Sequence, residues 1–217
     1  MPESPTLDRC LAYAVLSSYR TWIGPPSVHD VDIFLRGASF RAQLVSAEIP
    51  EWRIFGPFLD REFAYPLTVR TGYPSRSINW ASALERLHFD PEAAIREAVE
   101  LLEAWHRSIA GSIPPAGILG ADPRPYPDLA SLLAALSLRP VMFLWEPADG
   151  WAFRSFLHGM ADGGDWLGLP SLASVREVIT RIEEKSRELV GSPFGAYRVY
   201  DLDVLLTFAG VRPEAER

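Results

Sequence analysis

Four histidines and the carboxylates spaced around them are the residues of this chain whose types and spacing could do chemistry. In His29-Asp30-Val31-Asp32 an imidazole and two carboxylates follow a Pro-Pro turn, a composition that could hold a divalent ion or orient a general base. Glu85-Arg86-Leu87-His88 and Glu103-Ala104-Trp105-His106 each set a carboxylate and an imidazole one helical turn apart, the spacing used in helix-bundle di-iron sites. His158 and Asp162 stand four apart before Gly163-Gly164. One reading is a small metal-assisted hydrolase in which His29, Asp30 and Asp32, joined by His106 or His158 from a packed helix, surround an ion that activates water. It requires at least three of those side chains to converge in a cleft.

The elements that would carry these residues weigh against a shared ion for the two Glu-x-x-His pairs. If the chain reverses at Phe89-Asp90, His106 lies about 15 residues along the second helix, roughly 22 Å from His88 at 1.5 Å per residue. Metal ligands must lie within about 2.2 Å of the ion. Glu85, Glu103 and His106 then read as flanks of apolar faces. An acidic helix start is favoured by the helix dipole alone, which accounts for Asp30 and Asp32 without a metal. Cys10 reads as a small core residue rather than a nucleophile.

The best-marked helix begins at Asp90-Pro91-Glu92, with a capping acceptor, a proline where the first N–H is unpaired anyway, and an acid against the positive helix end. Ile95, Ala98, Val99, Leu102, Trp105 and Ile109 give it one buried face, and Gly111 ends it. Ser77 to His88 precedes it as the other arm of a helical hairpin. Helices are also predicted over Thr6 to Ile23, over 28 to 46 with Ser27 at the cap and Gly37 in the middle, where a hairpin turning at Arg36-Gly37 is the alternative, and after Asp128 with Leu129, Leu132, Leu133 and Leu136 inward. Further helices span Gly150 to Met160, with a turn at Asp162-Gly163-Gly164-Asp165, and Ser174 to Val190, capped by Ser174. A last one runs from Asp201 through Leu205 and Phe208.

Short aromatic and β-branched runs, 52–55 and 65–69, predict edge strands, Pro140 to Trp145 predicts a strand buried on both faces, and Tyr197 to Tyr200 another. The expectation is a helix-rich α+β single domain over 1–217 with a small β-sheet containing 140–146. The proline-rich connection 111–127 is the one candidate subdomain boundary.

The 217 residues, 48% of them hydrophobic, are enough for one sizeable core. No run approaches the ~20 apolar residues of a membrane span. The N-terminus lacks the basic flank and apolar block of a signal peptide, so a cytoplasmic location is expected. One cysteine excludes an internal disulfide framework. Twenty of the 21 basic residues are arginine, and the net charge of −7 argues against a broad nucleic-acid surface, although residues 36–76 hold a local concentration of arginine. No phosphate-binding loop, dinucleotide fingerprint or nucleophile elbow is found in the sequence, and no cofactor is implied.

Charge and composition therefore favour an acidic, non-enzymatic interaction protein that binds a basic partner protein, of the kind represented by immunity or antitoxin-type inhibitors. The face expected to do this gathers Asp30, Asp32, Glu48, Glu51, Asp60 and Glu62 with the turn-flanking tryptophans Trp52, Trp151 and Trp166. A small-molecule sensor with an aromatic pocket is a third reading, and it would need an enclosed apolar cavity.

Overall fold

The computed structural model describes residues 6–25, 27–54, 70, 79–108, 118–119 and 126–211. The chain is helix-rich, and no helix among these residues is long and apolar enough to cross a membrane.

The expected first helix is broken into three: a 3-10 turn over Leu7–Arg9, α1 over Leu11–Ser17 and α2 over Tyr19–Trp22, the last two parted where Ser18 leaves helical geometry at φ −133°. The central element is α3, Val28–Leu44, started by Ser27, whose hydroxyl accepts the Asp30 N–H at 3.0 Å. It is buried on nearly every side, which explains why its apolar residues do not confine themselves to one stripe. After α4, Glu51–Ile54, come α5, Trp80–Leu87, capped by Asn79, and α6, Pro91–Ser108, capped by Asp90 as its sequence predicts. The second half holds α7, Leu129–Leu138, α8, Pro140–Leu144, and α9, Gly150–His158, continued by a π-helical turn Gly159–Gly163 into α10, Gly164–Trp166. The long α11, Ala173–Val190, is followed by α12, Ala196–Val199, and α13, Leu202–Phe208.

Several expectations are corrected. Pro140–Leu144 is a helix, not a buried strand: proline at its first turn pre-sets helical φ, and five apolar residues are too few for periodicity to choose. Phe143 and Leu144 point inward while Val141 and Met142 stay exposed. Residues 197–199 and 52–54 are likewise helical. The Asp162-Gly163-Gly164-Asp165 stretch stays helical instead of turning, and α11 starts at Ala173 without a side-chain cap, so Ser174 is not its N-cap. The strand pairing among the described residues is a two-residue antiparallel bridge, β1 (Ile49–Pro50) with β2 (Ile118–Leu119), in place of a sheet built on 140–146. The predicted strand at 65–69 and most of the 111–127 connection lie outside the described residues.

Two hydrophobic clusters meet at α3. Val31, Phe34, Leu35, Ala38 and Ala42 pack with α1, α4, α5 and α6, while Ile33 and Leu44 belong to the cluster formed with α7 to α9 and α11 to α13. The two sides come together where α3 crosses α9 and the π-turn. A β-carbon on Gly37 would sit 2.1 Å from the Phe156 carbonyl oxygen, and one on Gly159 would sit 1.9 Å from that of Phe34. Two glycines therefore let the backbones touch, and the mid-helix Gly37 that weakens the sequence prediction of α3 is a packing requirement.

Candidate functional site

The crossing decides what the chemistry-bearing side chains of α3 can do. Asp30 and Asp32 are two residues apart and so point some 200° apart around the helix. Asp32 is fully buried, its Oδ1 accepting the Trp80 indole N–H at 2.8 Å and its Oδ2 the Arg36 Nε–H at 2.8 Å and the Asn79 amide at 3.4 Å. Asp30 faces α9, where the Ser155 hydroxyl donates to it at 3.2 Å. Burial raises its carboxyl above the ordinary range, although hydrogen bonds from Ser27 and Ser155 and the neighbouring His29 oppose the shift. His29 is buried, and its main-chain N–H donates to Glu85 Oε1 at 3.3 Å. Desolvation raises the Glu85 carboxyl too.

The other candidates are divided among separate partners. His88 pairs with Glu97, not with Glu85, and Glu103 accepts the Tyr13 hydroxyl at 3.3 Å. His158 Nδ1 is 2.8 Å from Asp162, which Arg176 also contacts. Burial opposes ionisation of Asp162, yet the bonds from His158 and Arg176 outweigh it and lower its pKa. Among the described residues no three His, Cys, Asp or Glu side chains are grouped to hold a metal ion. The predicted set of His29, Asp30, Asp32, His106 and His158 is therefore not brought together, because α3 points its acids to opposite sides and His158 is held by its own helix. Cys10 lies in the core, and burial pushes its thiol up to about 12.

Two arginines of the predicted basic segment are also used inside the fold. Arg41 is 2% exposed and donates to the carbonyls of Met160, Ala161, Leu169 and Pro170 at 2.7–3.1 Å while pairing with Asp165 at 2.8 Å. Met160 and Ala161 belong to the π-turn and Leu169 and Pro170 to the segment that follows α10, so the guanidinium ties the two together. The Ala161 carbonyl also accepts the Gly164 N–H. Arg36 bridges inward to Asp32 and outward, its guanidinium carbon 4.5 Å from the centre of the Trp145 ring.

Of the residues expected at an acidic and aromatic docking face, Asp32 and Trp52 are in the interior and the half-buried Asp30 is turned toward Ser155. Glu48 is exposed, Glu51 is half-buried, Trp166 packs on the first hydrophobic cluster, and Asp60 and Glu62 lie outside the described residues. What the surface presents instead is an apolar face at the α7–α8 corner: Leu138 is 79% exposed, Met142 64%, Val141 44% and Trp145 36%. Leu138 lies two residues beyond the inward row that ends at Leu136, about 200° around the helix, and this was the signal available in the sequence. Trp145 adds a backbone at φ +54°, ψ −168°, a region that residues with a β-carbon avoid at a cost of about 1–3 kcal/mol.

Trp151, the one predicted docking aromatic at the start of α9, is half-buried. The guanidinium carbons of Arg154 and Arg198 lie 5.3 Å from its ring centre, and Arg154 also lies 4.9 Å from that of Phe194. Next to it opens a pocket of about 340 Å³, lined by Asp149, Trp151, Tyr197, Arg198, Tyr200 and Asp201 among others. Comparison with protein-family models, curated proteins and solved structures finds no match for the chain.

Proposed function

We propose that the chain is a non-enzymatic, cytoplasmic interaction protein that docks a basic partner protein, as an inhibitor or regulator of the immunity or antitoxin kind does, through Leu138, Val141, Met142 and Trp145. The observation that carries this reading is Trp145. A large aromatic side chain is kept at the surface on a strained backbone, and its ring is braced by Arg36, which a fully buried Asp32 holds in turn. Backbone strain persists where the surroundings over-determine it, and such places concentrate at ligand clamps and contact sites. An exposed tryptophan is the kind of anchor that binding hot spots favour, and methionine is enriched at interfaces around such anchors. Arg36 and Arg139 touch Trp145 and Met142, and Glu146 and Asp149 follow along the chain, so it is the net charge of −7 that favours a partner whose contact surface is basic.

The test is native mass spectrometry of tagged protein recovered from its own host, run in parallel with the double variant L138E/M142E. The wild type is expected to carry a stoichiometric second protein that the variant lacks, with circular dichroism and thermal midpoint unchanged between the two. Retention of the same partner by the variant, or recovery of a lone chain with a small-molecule mass, would overturn the reading.

A further inference from the structure

We infer that Met142 is an oxidation site whose sulfoxide closes the apolar corner to the partner. The inference rests on the docking reading above and names how that face is regulated. Among the described residues sulfur occurs in Cys10, Met142 and Met160. Cys10 is sealed in the core, and burial pushes its thiol up to about 12, so it offers almost no reactive thiolate at neutral pH. Met160 is 0% exposed inside the second hydrophobic cluster. Met142 is 64% exposed and lies among Leu138, Val141 and Trp145. Of these three sulfurs, an oxidant arriving from solvent meets the one at the docking face.

The oxidant the chemistry calls for is a peroxide. The sulfur lone pair attacks one peroxide oxygen, the O–O bond breaks as the S–O bond forms, and a proton moves from the transferred oxygen to the leaving one. Sulfur loses two electrons, and hydrogen peroxide is reduced to water. The product replaces a flexible apolar side chain by a polar one, which disrupts interfaces built on methionine. A donor for the new oxygen is already in place, since Arg139 Nη1 lies 4.0 Å from Met142 Sδ. Its charge-assisted hydrogen bond anchors the sulfoxide oxygen on the face, where an arriving partner must strip it of water. A docked partner covers the sulfur, so the reaction belongs to the free chain and decides whether that chain can dock.

The experiment treats full-length protein, labelled with ¹³C at the methionine methyl groups, with hydrogen peroxide. Methyl spectra and peptide mass mapping follow each methionine separately. Met142 is expected to oxidise within about threefold of the rate of N-acetylmethionine amide, and Met160 about a hundredfold or more slowly. The peroxide is then removed, the tagged chain is incubated with extract of its own host, and native mass spectrometry reads the second protein recovered. Oxidised wild type is expected to recover about tenfold less of it, and reduction by a methionine sulfoxide reductase should restore the recovery. Recovery by Met142→Leu, whatever its level before treatment, should not change with peroxide.

Oxidation of Met160 as fast as Met142 would overturn the site. Unchanged recovery by the oxidised wild type, or an equal loss by peroxide-treated M142L, would overturn the closure. The rates are read on the chain alone and are decided without a partner. If L138E/M142E keeps the second protein while oxidation stays confined to Met142, the docking reading fails and takes the closure with it, and the oxidation site stands. If L138E/M142E loses the second protein while the oxidised wild type keeps it, the docking reading stands and the closure fails.

Discussion

The packing around α3 and the corner formed by α7 and α8 share one side chain, Arg36, and use their residues in opposite ways. Around α3, polar groups that look catalytic in sequence are consumed by the fold: Asp32 by Trp80 and Arg36 on the α5 side, Ser155 by Asp30 on the α9 side, Arg41 by four carbonyls and a carboxylate. At the corner, Leu138, Met142 and Trp145 remain exposed, and Trp145 is held there in an unfavourable backbone conformation. Titratable residues around α3 therefore mark architecture, and at the corner it is apolar ones that reach the surface. If that contrast is right, substitutions at the crossing should damage stability, and those at the corner should damage binding.

The largest stability effect is expected for Arg41→Met. Methionine fills much of the volume but leaves the Met160, Ala161, Leu169 and Pro170 carbonyls without the guanidinium, which should cost about 3 kcal/mol or more in urea unfolding. A loss below about 1 kcal/mol would mean that water serves those carbonyls and that the guanidinium is not structural. Gly159→Ala should follow. Helix propensity alone would favour alanine by about 1 kcal/mol, but its methyl would collide with the Phe34 carbonyl, so a net loss of about 1–3 kcal/mol is expected. A stabilised variant would show that the backbones are not in contact.

These positions also show what was legible in the sequence. Helix starts with a local mechanism were readable: Ser27, Asp90, Asp128 and Asp201 each cap the helix predicted for them. So were long apolar rows, such as Ile95, Ala98 and Leu102 of α6 or Val175, Val178, Ile179 and Ile182 of α11. Short apolar runs were not, because Pro140–Leu144 and Ala196–Val199 are too brief for a period to separate helix from strand. Trp52 sits beside a proline and an acid, yet the interior takes it, since neighbours in sequence do not report burial. The use of Arg41 depends on carbonyls nearly 120 residues away, in the π-turn. The strain at Trp145 is a property of its backbone, which its residue type argues against.

Trp145→Gly sets that strain against the contacts of the ring. Glycine accepts φ +54° freely, which should return about 1–3 kcal/mol, while loss of the Arg36 stacking, of the covered part of the indole and of backbone restriction in the unfolded chain together cost about 2–3 kcal/mol. The variant should stay within about 1 kcal/mol of the wild type and yet bind its partner more weakly. Such a division of stability from binding would sharpen the contrast between crossing and corner. A variant that loses stability as the Arg41 variant does would erase it, by making Trp145 one more structural residue.

The smallest effect separates two half-buried acids, by pH. Burial raises the Asp30 pKa from its ordinary 3.8, so the folded chain holds that proton more tightly than the unfolded one. Stability from this group therefore falls as pH rises from about 3.8 through its folded pKa, and then stays level. An asparagine amide in its place would keep an acceptor for the Ser155 hydroxyl without titrating, so Asp30→Asn should gain stability over the wild type across that window and hold the gain at neutral pH. Asp162 is the counterpart, since its bonds from His158 and Arg176 outweigh burial and lower its pKa. It stabilises the fold at neutral pH and loses that contribution as pH falls through its folded pKa, so Asp162→Asn should be the less stable protein at pH 7 and converge on the wild type in acid. Urea midpoints for both variants from pH 3 to pH 7 should diverge from the wild type in opposite directions as pH rises. Parallel curves would mean that the Asp30 carboxylate is solvated, and that the crossing is more open to water than its packing implies.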